Sequence, residues 1–349
     1  MGKRTQGEVK HFLDTIDLSK EEMLELFETI RILKKMDYEG AVPKVLEGAT
    51  IALIFEEPST RTRVSFETAI HDLGGHAIYL KPGEIHFGGH EALKDTARVI
   101  SSMTHGIMLR AKEHETLLNL AKYSSVPVFN GMTYYNHPTQ GVCDFFTMSE
   151  HLPEGKKLED IHVVFIGDSK EETGIMSKET GHMCATLGLR YTVCSPKEYS
   201  MSEHEQEIIR NKMKETGGTL RVTDDVDDAV KDADFIVPDV WTYYGYEEEE
   251  KDRLAKFMPR YQVNMDLMNK APAHCKALHC LPAIREMEIT SEVLDHPERC
   301  IAFQEAENRL HTQRALLVTY LYPRLIKASK EKRLENEKLI RTRFDKTQD

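Results

Sequence analysis

The chain has 349 residues, of which 40% are hydrophobic and 30% charged, with a formal net charge of -12. That length exceeds one ordinary core and suits two domains, and the composition is that of a soluble globular chain with no apolar run long enough to cross a bilayer. The acidic balance argues against nucleic acid as a partner, so any anionic ligand must be held by a local basic pocket. Cys143, Cys184, Cys194, Cys275, Cys280 and Cys300 form no C-x-x-C pair and read as free thiols of a reducing compartment. Met1-Gly2-Lys3-Arg4 leads into a polar segment with no secretory apolar stretch, and a cytoplasmic location is expected.

Ser19 and Glu22 form a capping box before Met23, Leu24, Leu26, Phe27, Ile30 and Leu33, whose spacing predicts an amphipathic helix. Ala49 to Phe55 is the first apolar strand. Ser59-Thr60-Arg61-Thr62-Arg63 follows it and opens a helical segment from Val64 to Leu73. Hydroxyls and guanidiniums at a helix start form an anion seat, because first-turn N–H groups and forked arginine donors match phosphate oxygens. A capped, solvated helix start is the alternative, and the stretch alone does not choose between them. The Gly-rich loop from Gly83 to Gly89 brings His86 and His90 near Glu91, a weak metal signal because its spacing is flexible. A helix from about Glu91 to Met103, a strand from Gly106 to Leu109 ending at Arg110, an apolar run from Val126 to Asn130 and a helix from about Gly141 to His151 follow.

The polar turn Pro153-Glu154-Gly155-Lys156-Lys157 marks a domain boundary. Beyond it, His162 to Ile166, Tyr191 to Cys194, Leu220 to Val222, Phe235 to Val237, Ala277 to His279 and Cys300 to Phe303 are short apolar segments between helical or charged stretches. This alternation predicts an α/β protein of two doubly wound parallel-sheet domains with ligands in an interdomain cleft, beyond the carboxyl ends of the strands. A helix from about Ala306 to Tyr320 is expected to return to the first domain. The domains are thus 1–152, joined by about 306–349, and 153–305. Past Pro323 the tail is almost entirely charged, with Leu325, Ile326, Leu334, Leu339, Ile340 and Phe344 as its sparse apolar set. It reads as a solvated helix or as one that docks on a neighbouring subunit.

Arg110, His137 with Gln140, His279-Cys280-Leu281-Pro282 and Glu307-Asn308-Arg309 each have an ordinary reading as an ion pair, turn residue, core filler or surface charge. In order, the set Ser59-Thr60-Arg61-Thr62, Arg110, His137-Pro138-Thr139-Gln140, Asp239-Val240-Trp241, His279-Cys280-Leu281-Pro282 and Glu307-Asn308-Arg309 resembles the aspartate/ornithine carbamoyltransferase superfamily, on its ornithine side. The resemblance implies transfer of a carbamoyl group from carbamoyl phosphate to an amine, with no metal or cofactor. It implies that Ser59, Thr60, Arg61 and Thr62 hold the phosphate, that Thr62, Arg110, His137 and Gln140 surround the carbamoyl group, and that Arg309 and the Leu281 carbonyl complete the cage. Arg110, His137 and Thr62 would be the catalytic residues. In the family a neighbouring subunit's loop enters the site, which implies a homotrimer with His86 supplied in trans.

Ornithine enzymes of this family read the amino-acid head group with an asparagine pair after a Gly-Asp turn and with a Ser-Met-Gly loop after Asp-x-Trp. Here Gly167-Asp168 is followed by Ser169-Lys170-Glu171-Glu172, and Asp239-Val240-Trp241 by Thr242-Tyr243-Tyr244-Gly245-Tyr246-Glu247. A carboxylate buried without donors is costly, so an amine lacking one is favoured, and putrescine is ornithine without its carboxylate. The aromatic loop and long charged C-terminal helix resemble the putrescine-using branch, where such a tail clasps an adjacent subunit. Asp239, Tyr244, Glu247 and Cys280 are then the amine-side candidates, in a reaction of agmatine catabolism. Lys170 or Lys178 could bind a carboxylate, which keeps ornithine open. A non-catalytic anion-binding relative is a third reading. Neither G-x-G-x-x-G nor G-x-x-x-x-G-K-[ST] follows a predicted strand, which disfavours a nucleotide site.

Overall fold

The computed structural model describes residues 6–81, 91–242, 249–327 and 330–345. The first helix, α1 (Lys20–Tyr38), opens on the expected capping box: the Ser19 hydroxyl accepts from the Glu22 N–H and the Glu22 carboxylate accepts from the Ser19 N–H. Its apolar stripe, Met23, Leu26, Phe27, Ile30 and Leu33, is buried.

The first sheet has β1 (Thr50–Phe55), β2 (His76–Leu80), β3 (Gly106–Arg110) and β4 (Val128–Met132), all parallel in the order β2-β1-β3-β4. Its crossovers are α2 (Thr60–Asp72), α3 (Leu93–Met103) and α4 (His114–Tyr123). Strand β2 was not anticipated: it lies on the sheet edge and is only half-buried, so His76-Ala77-Ile78-Tyr79-Leu80 lacks the solid apolar run of β1. Helix α5 (Pro138–Glu150) leads to the second sheet, where β5 (His162–Ile166), β6 (Arg190–Cys194), β7 (Thr219–Thr223), β8 (Phe235–Pro238) and β9 (Lys276–Ala277) are parallel in the order β7-β6-β5-β8-β9. Around it run α6 (Ile175–Leu187), α7 (Glu203–Thr216), α8 (Val226–Val230), α9 (Glu250–Phe257), α10 (Met265–Met268) and α11 (Ser291–Leu294), before α12 (Ala302–Leu321) and α13 (Lys330–Asp345).

The strand expected at Cys300 to Phe303 does not form. Cys300 makes a single bridge with Ala277 at the end of the short β9, and α12 has begun by Ala302. The long helix then packs on α2, α5 and α1, so the chain returns to the first sheet as expected. In both sheets the strand order reverses beside a central strand, β1 or β5, and the loops leaving these points face one another across a cleft.

The lobes are also joined away from the cleft. At Gly141 an added Cβ would collide with the Glu179 side chain, so the missing side chain lets α5 and α6 approach closely. Thr15 donates to Glu179 (2.6 Å), and Asp14 lies 2.8 Å from Nδ1 of the fully buried His182, whose Nε2 lies 2.6 Å from Glu205. With a carboxylate at each nitrogen, both nitrogens carry protons and the ring is an imidazolium. Burial opposes that charge, but Asp14 and then Glu205 outweigh it and hold the His182 pKa well above its ordinary 6.5. The folded ring therefore binds its proton more tightly than the unfolded one. Its stabilising contribution is complete below about pH 6.5 and is lost as pH rises toward the raised value. His182→Gln is expected to cost about 3 kcal/mol in acid and to flatten the fall in melting temperature with rising pH. Parallel pH–melting curves for wild type and variant would refute the imidazolium assignment.

Candidate active site

The strand-to-helix turn after β1 forms one wall. Helix α2 begins at Thr60, four residues before the expected Val64, so Thr60, Arg61 and Thr62 occupy its first turn with N–H groups free of intrahelical partners. Ser59 is the N-cap in extended conformation, and its hydroxyl makes no capping bond. The Ser59, Arg61 and Thr62 side chains line the cleft, whereas Thr60 is exposed and contributes only its place in the turn. Arg63 points away: it pairs with Glu67 (2.9 Å) and stacks on Tyr79, so the seat holds one arginine of this stretch and not two. Strand β3 lies beside β1 with Arg110 opposite Phe55, which delivers Arg110 to the same end. His137 is the N-cap of α5, which starts at Pro138, three residues before the expected Gly141. Arg309 lies in the second turn of α12, and its Nη2 donates to the Thr62 hydroxyl (3.3 Å).

Among the described residues, Arg61, Arg110 and Arg309 form no salt bridge, and Nε of Arg110 with Nε and Nη1 of Arg309 are buried without a hydrogen-bond acceptor. Burial, with Arg309 and Arg61 nearby, pushes the Arg110 pKa down to about 10. The same surroundings hold His137 well below its ordinary value, by burial first and then by Arg309, Arg110 and Arg61, so its imidazole is neutral. A neutral ring donates one N–H without adding charge. Buried donors and like charges in this number are unfavourable until an anion satisfies them.

The opposite wall comes from the second sheet. Asp239 and Val240 follow β8, and Cys280, Leu281 and Pro282 follow β9. The His279 ring fixes the latter loop: Nδ1 accepts from the Leu281 N–H (2.9 Å), so the ring proton sits on Nε2 and faces Glu288 (3.0 Å). Leu281 (φ 56) and Met132 (φ 136) are non-glycine residues in the left-handed region, and both line the cleft. Burial pushes the Asp239 pKa up to about 6, and the Cys280 thiol lies 3.6 Å from its carboxylate. Glu172 and Glu250, neither of them a candidate from the sequence, also line the cleft.

One expected role narrows. Gln140 was expected among the residues that surround the carbamoyl group, and its Nε2 already donates to Asp144 (2.7 Å) and Glu305 (2.8 Å). Only its carbonyl oxygen remains for the cleft, so it can act there as an acceptor alone. The expected roles of His86, Tyr244 and Glu247 fall outside the described residues. The cleft encloses about 520 Å³ and is lined by Arg61 and Arg110 with Glu57 beside them on the α2 side, and by Asp239, Glu172 and Glu250.

Residues 10–150 match the aspartate/ornithine carbamoyltransferase carbamoyl-P binding domain, and residues 159–320 match the aspartate/ornithine carbamoyltransferase Asp/Orn binding domain. The chain is 50% identical over 331 residues to a putrescine carbamoyltransferase of Mycoplasma capricolum subsp. capricolum, covering 93% of this chain and 89% of that one. To an ornithine carbamoyltransferase of Archaeoglobus fulgidus it is 41% identical over 313 residues, covering 90% and 98%. The ornithine carbamoyltransferase structure from Pyrococcus furiosus superposes with a TM-score of 0.83 at 37% identity, covering 89% of this chain and 97% of that chain. The chain belongs to the aspartate/ornithine carbamoyltransferase family, and its activity is carbamoyl transfer.

Crowding of unpaired arginines has a measurable consequence. Arg110→Met is expected to raise the melting temperature of the ligand-free protein by a few degrees, about 1 kcal/mol, and to abolish most of the rise that inorganic phosphate gives wild type. A ligand-free variant that melts below wild type would show that Arg110 is already satisfied without an anion.

Proposed function

We propose that the protein moves a carbamoyl group between carbamoyl phosphate and putrescine, with N-carbamoylputrescine and phosphate as the other pair. The observation that carries this reading is the charge of the cleft beyond the α2 wall: Asp239, Glu172 and Glu250 line it, and of the two lysines that could have received a carboxylate Lys178 is engaged. Lys178 is buried, donating to the Glu171 carbonyl (2.8 Å) with Tyr135 beneath its ammonium, and Lys170 lies 3.6 Å from Glu172. An end of this charge suits the distal ammonium of a diamine and disfavours an α-carboxylate. The putrescine carbamoyltransferase of M. capricolum, more similar to this chain than the ornithine enzyme of A. fulgidus, supports the same choice. Ornithine is the second reading, for which exposed Lys170 offers a head-group partner.

In this reading residues 1–152 with 306–349 form the carbamoyl phosphate lobe and 153–305 the amine lobe. Ser59, Arg61, Thr62 and the first-turn amides of α2 from Thr60 onward hold the phosphate. Arg110, His137 and the Thr62 hydroxyl meet the carbamoyl oxygen, where negative charge grows as the amine attacks, and Arg309 supports that end. The Gln140 and Leu281 carbonyl oxygens accept from the carbamoyl NH2. As the new C–N bond forms and the C–O bond to phosphorus breaks, the departing phosphate takes the amine proton. Asp239 and Glu172 hold the far ammonium, with Cys280 beside the chain, and Tyr244 and Glu247 stay further candidates from the sequence. No metal or cofactor takes part. Reverse operation on N-carbamoylputrescine would serve agmatine breakdown in the cytoplasm.

Steady-state kinetics should show kcat/KM for putrescine above that for ornithine by roughly a hundredfold, the scale set by leaving a carboxylate without donors. Equal or better use of ornithine would replace the first reading with the second.

We further infer a homotrimer in which a neighbour's His86 completes the anion seat and α13 clasps an adjacent subunit. Leu334, Leu339 and Ile340 of that helix are exposed, which is consistent with a surface that another subunit covers. Arg324 must stay in any test, because it donates to the carbonyls of Gly7, Glu8 and Ser125 of its own chain. Removal of residues 330–349 is expected to lower the mass measured by light scattering from that of a trimer. An unchanged mass would leave the tail without this role.

A further inference from the structure

The Glu305 carboxylate is shared between elements from both lobes. Its Oε1 accepts from Gln140 Nε2 (2.8 Å) on α5, its Oε2 accepts from the His279 N–H (2.9 Å) after β9, and its backbone carbonyl receives the Cys143 thiol (3.0 Å). One helical turn later on the same helix stands Arg309. The second hydrogen of the Gln140 amide goes to Asp144 (2.7 Å). All three polar side chains are almost wholly buried: Gln140 is 3% exposed, Asp144 2% and Glu305 1%.

We propose that Glu305, seconded by Asp144, is the positioning residue of the site: it fixes the Gln140 amide with its carbonyl oxygen toward the carbamoyl group and ties that group to the Leu281 loop and Arg309. This rests on the reading that Gln140 meets the carbamoyl NH2. Without two acceptors at Nε2 the amide could rotate by half a turn and present an N–H to another N–H, which is repulsive. Through His279 the same carboxylate reaches the second acceptor, because the His279 ring receives the Leu281 N–H. A single buried group thus bears on both acceptors, and it shares its helix with the arginine that supports the opposite end.

The two carboxyls differ in what they must supply. Burial raises both carboxyls, Glu305 to about 7 and Asp144, with Glu305 beside it, well above its ordinary value, so Asp144 is the one that holds a proton more tightly. Asparagine reproduces a protonated aspartate: its oxygen accepts from Gln140 and its NH2 donates toward Glu305. Glutamine cannot reproduce Glu305, since both carboxylate oxygens accept and an amide offers one.

The test is a double-mutant cycle between Glu305→Gln and Gln140→Ala, with Asp144→Asn alongside, assayed with carbamoyl phosphate and whichever of putrescine or ornithine the wild type turns over faster. Glu305→Gln is expected to lose roughly tenfold to a hundredfold in kcat with little change in KM for the amine, while Asp144→Asn keeps most of its turnover. In the Gln140→Ala background Glu305→Gln should cost distinctly less than in wild type, because the part that runs through the amide is gone and only the part that runs through His279 and the Leu281 loop remains. An equal loss in both backgrounds, which is what a general folding defect would give, overturns the inference. So does a Glu305→Gln enzyme within about twofold of wild type. Full activity in Gln140→Ala removes the underlying reading of Gln140 together with the inference.

Discussion

Arg61 and Arg110 line one wall of a cleft, and the buried Arg309 stands behind it with Nη2 on the Thr62 hydroxyl; among the described residues Nε of Arg110 and Nε and Nη1 of Arg309 have no acceptor. Like charges gathered in a half-dry space repel, and buried guanidinium N–H groups without acceptors add to the cost. The first turn of α2 contributes a partial positive charge of the same sign. Such a cluster persists because the surrounding fold holds it in place. Arg110 is fixed by the pairing of β3 with β1, Arg61 by the turn after β1, and Arg309 by a helix packed on α1, α2 and α5. An incoming phosphate dianion then relieves a strain that the fold already carries, and neutral His137 adds a donor that does not worsen it.

The two ends of the cleft have opposite electrostatics, and each requires the other. A basic pocket alone would serve many anions, and an acidic one many cations. In the proposed reading the two together would select one anionic and one cationic reactant and bring the carbamoyl carbon against the amine at their meeting point. The lobes that carry these ends must keep their spacing. The Asp14–His182–Glu205 triad and the Thr15–Glu179 bond hold the back of the junction, while Glu305 bridges its front. Positional control therefore depends on buried polar groups and not on apolar packing alone.

Much of this was legible in the sequence. Solid apolar runs marked β1, β3, β5 and β8, and the Ser19–Glu22 box marked the start of α1. Motifs at strand ends gave Ser59, Arg61, Thr62, Arg110, His137, Asp239 and Cys280, which the fold gathers in one cleft. What escaped notice has physical reasons. Strand β2 lies on an edge and is only half-buried, so its hydrophobic signal is diluted. In Cys300 to Phe303, Ile301 and Ala302 are buried where a helix starts while Phe303 is exposed, so the apolar run does not come from pairing along a strand. Glu172 and Glu250 lie in runs of charge whose ordinary meaning is a solvated surface, and both keep solvent exposure at the rim of the cleft they line. The direction of the Gln140 amide depends on Glu305, distant in sequence, and no local pattern encodes it.

Both ends of the cleft are engaged at once by a bisubstrate compound in which a phosphonoacetyl group, standing for carbamoyl phosphate, is joined through an amide to the amine. Competitive inhibition constants for the putrescine conjugate and for the ornithine conjugate, measured on the same enzyme, isolate the single carboxylate by which they differ. The putrescine conjugate should bind tighter by roughly a hundredfold. Equal binding, or preference for the ornithine conjugate, would contradict an amine end built for a second ammonium and without a carboxylate seat.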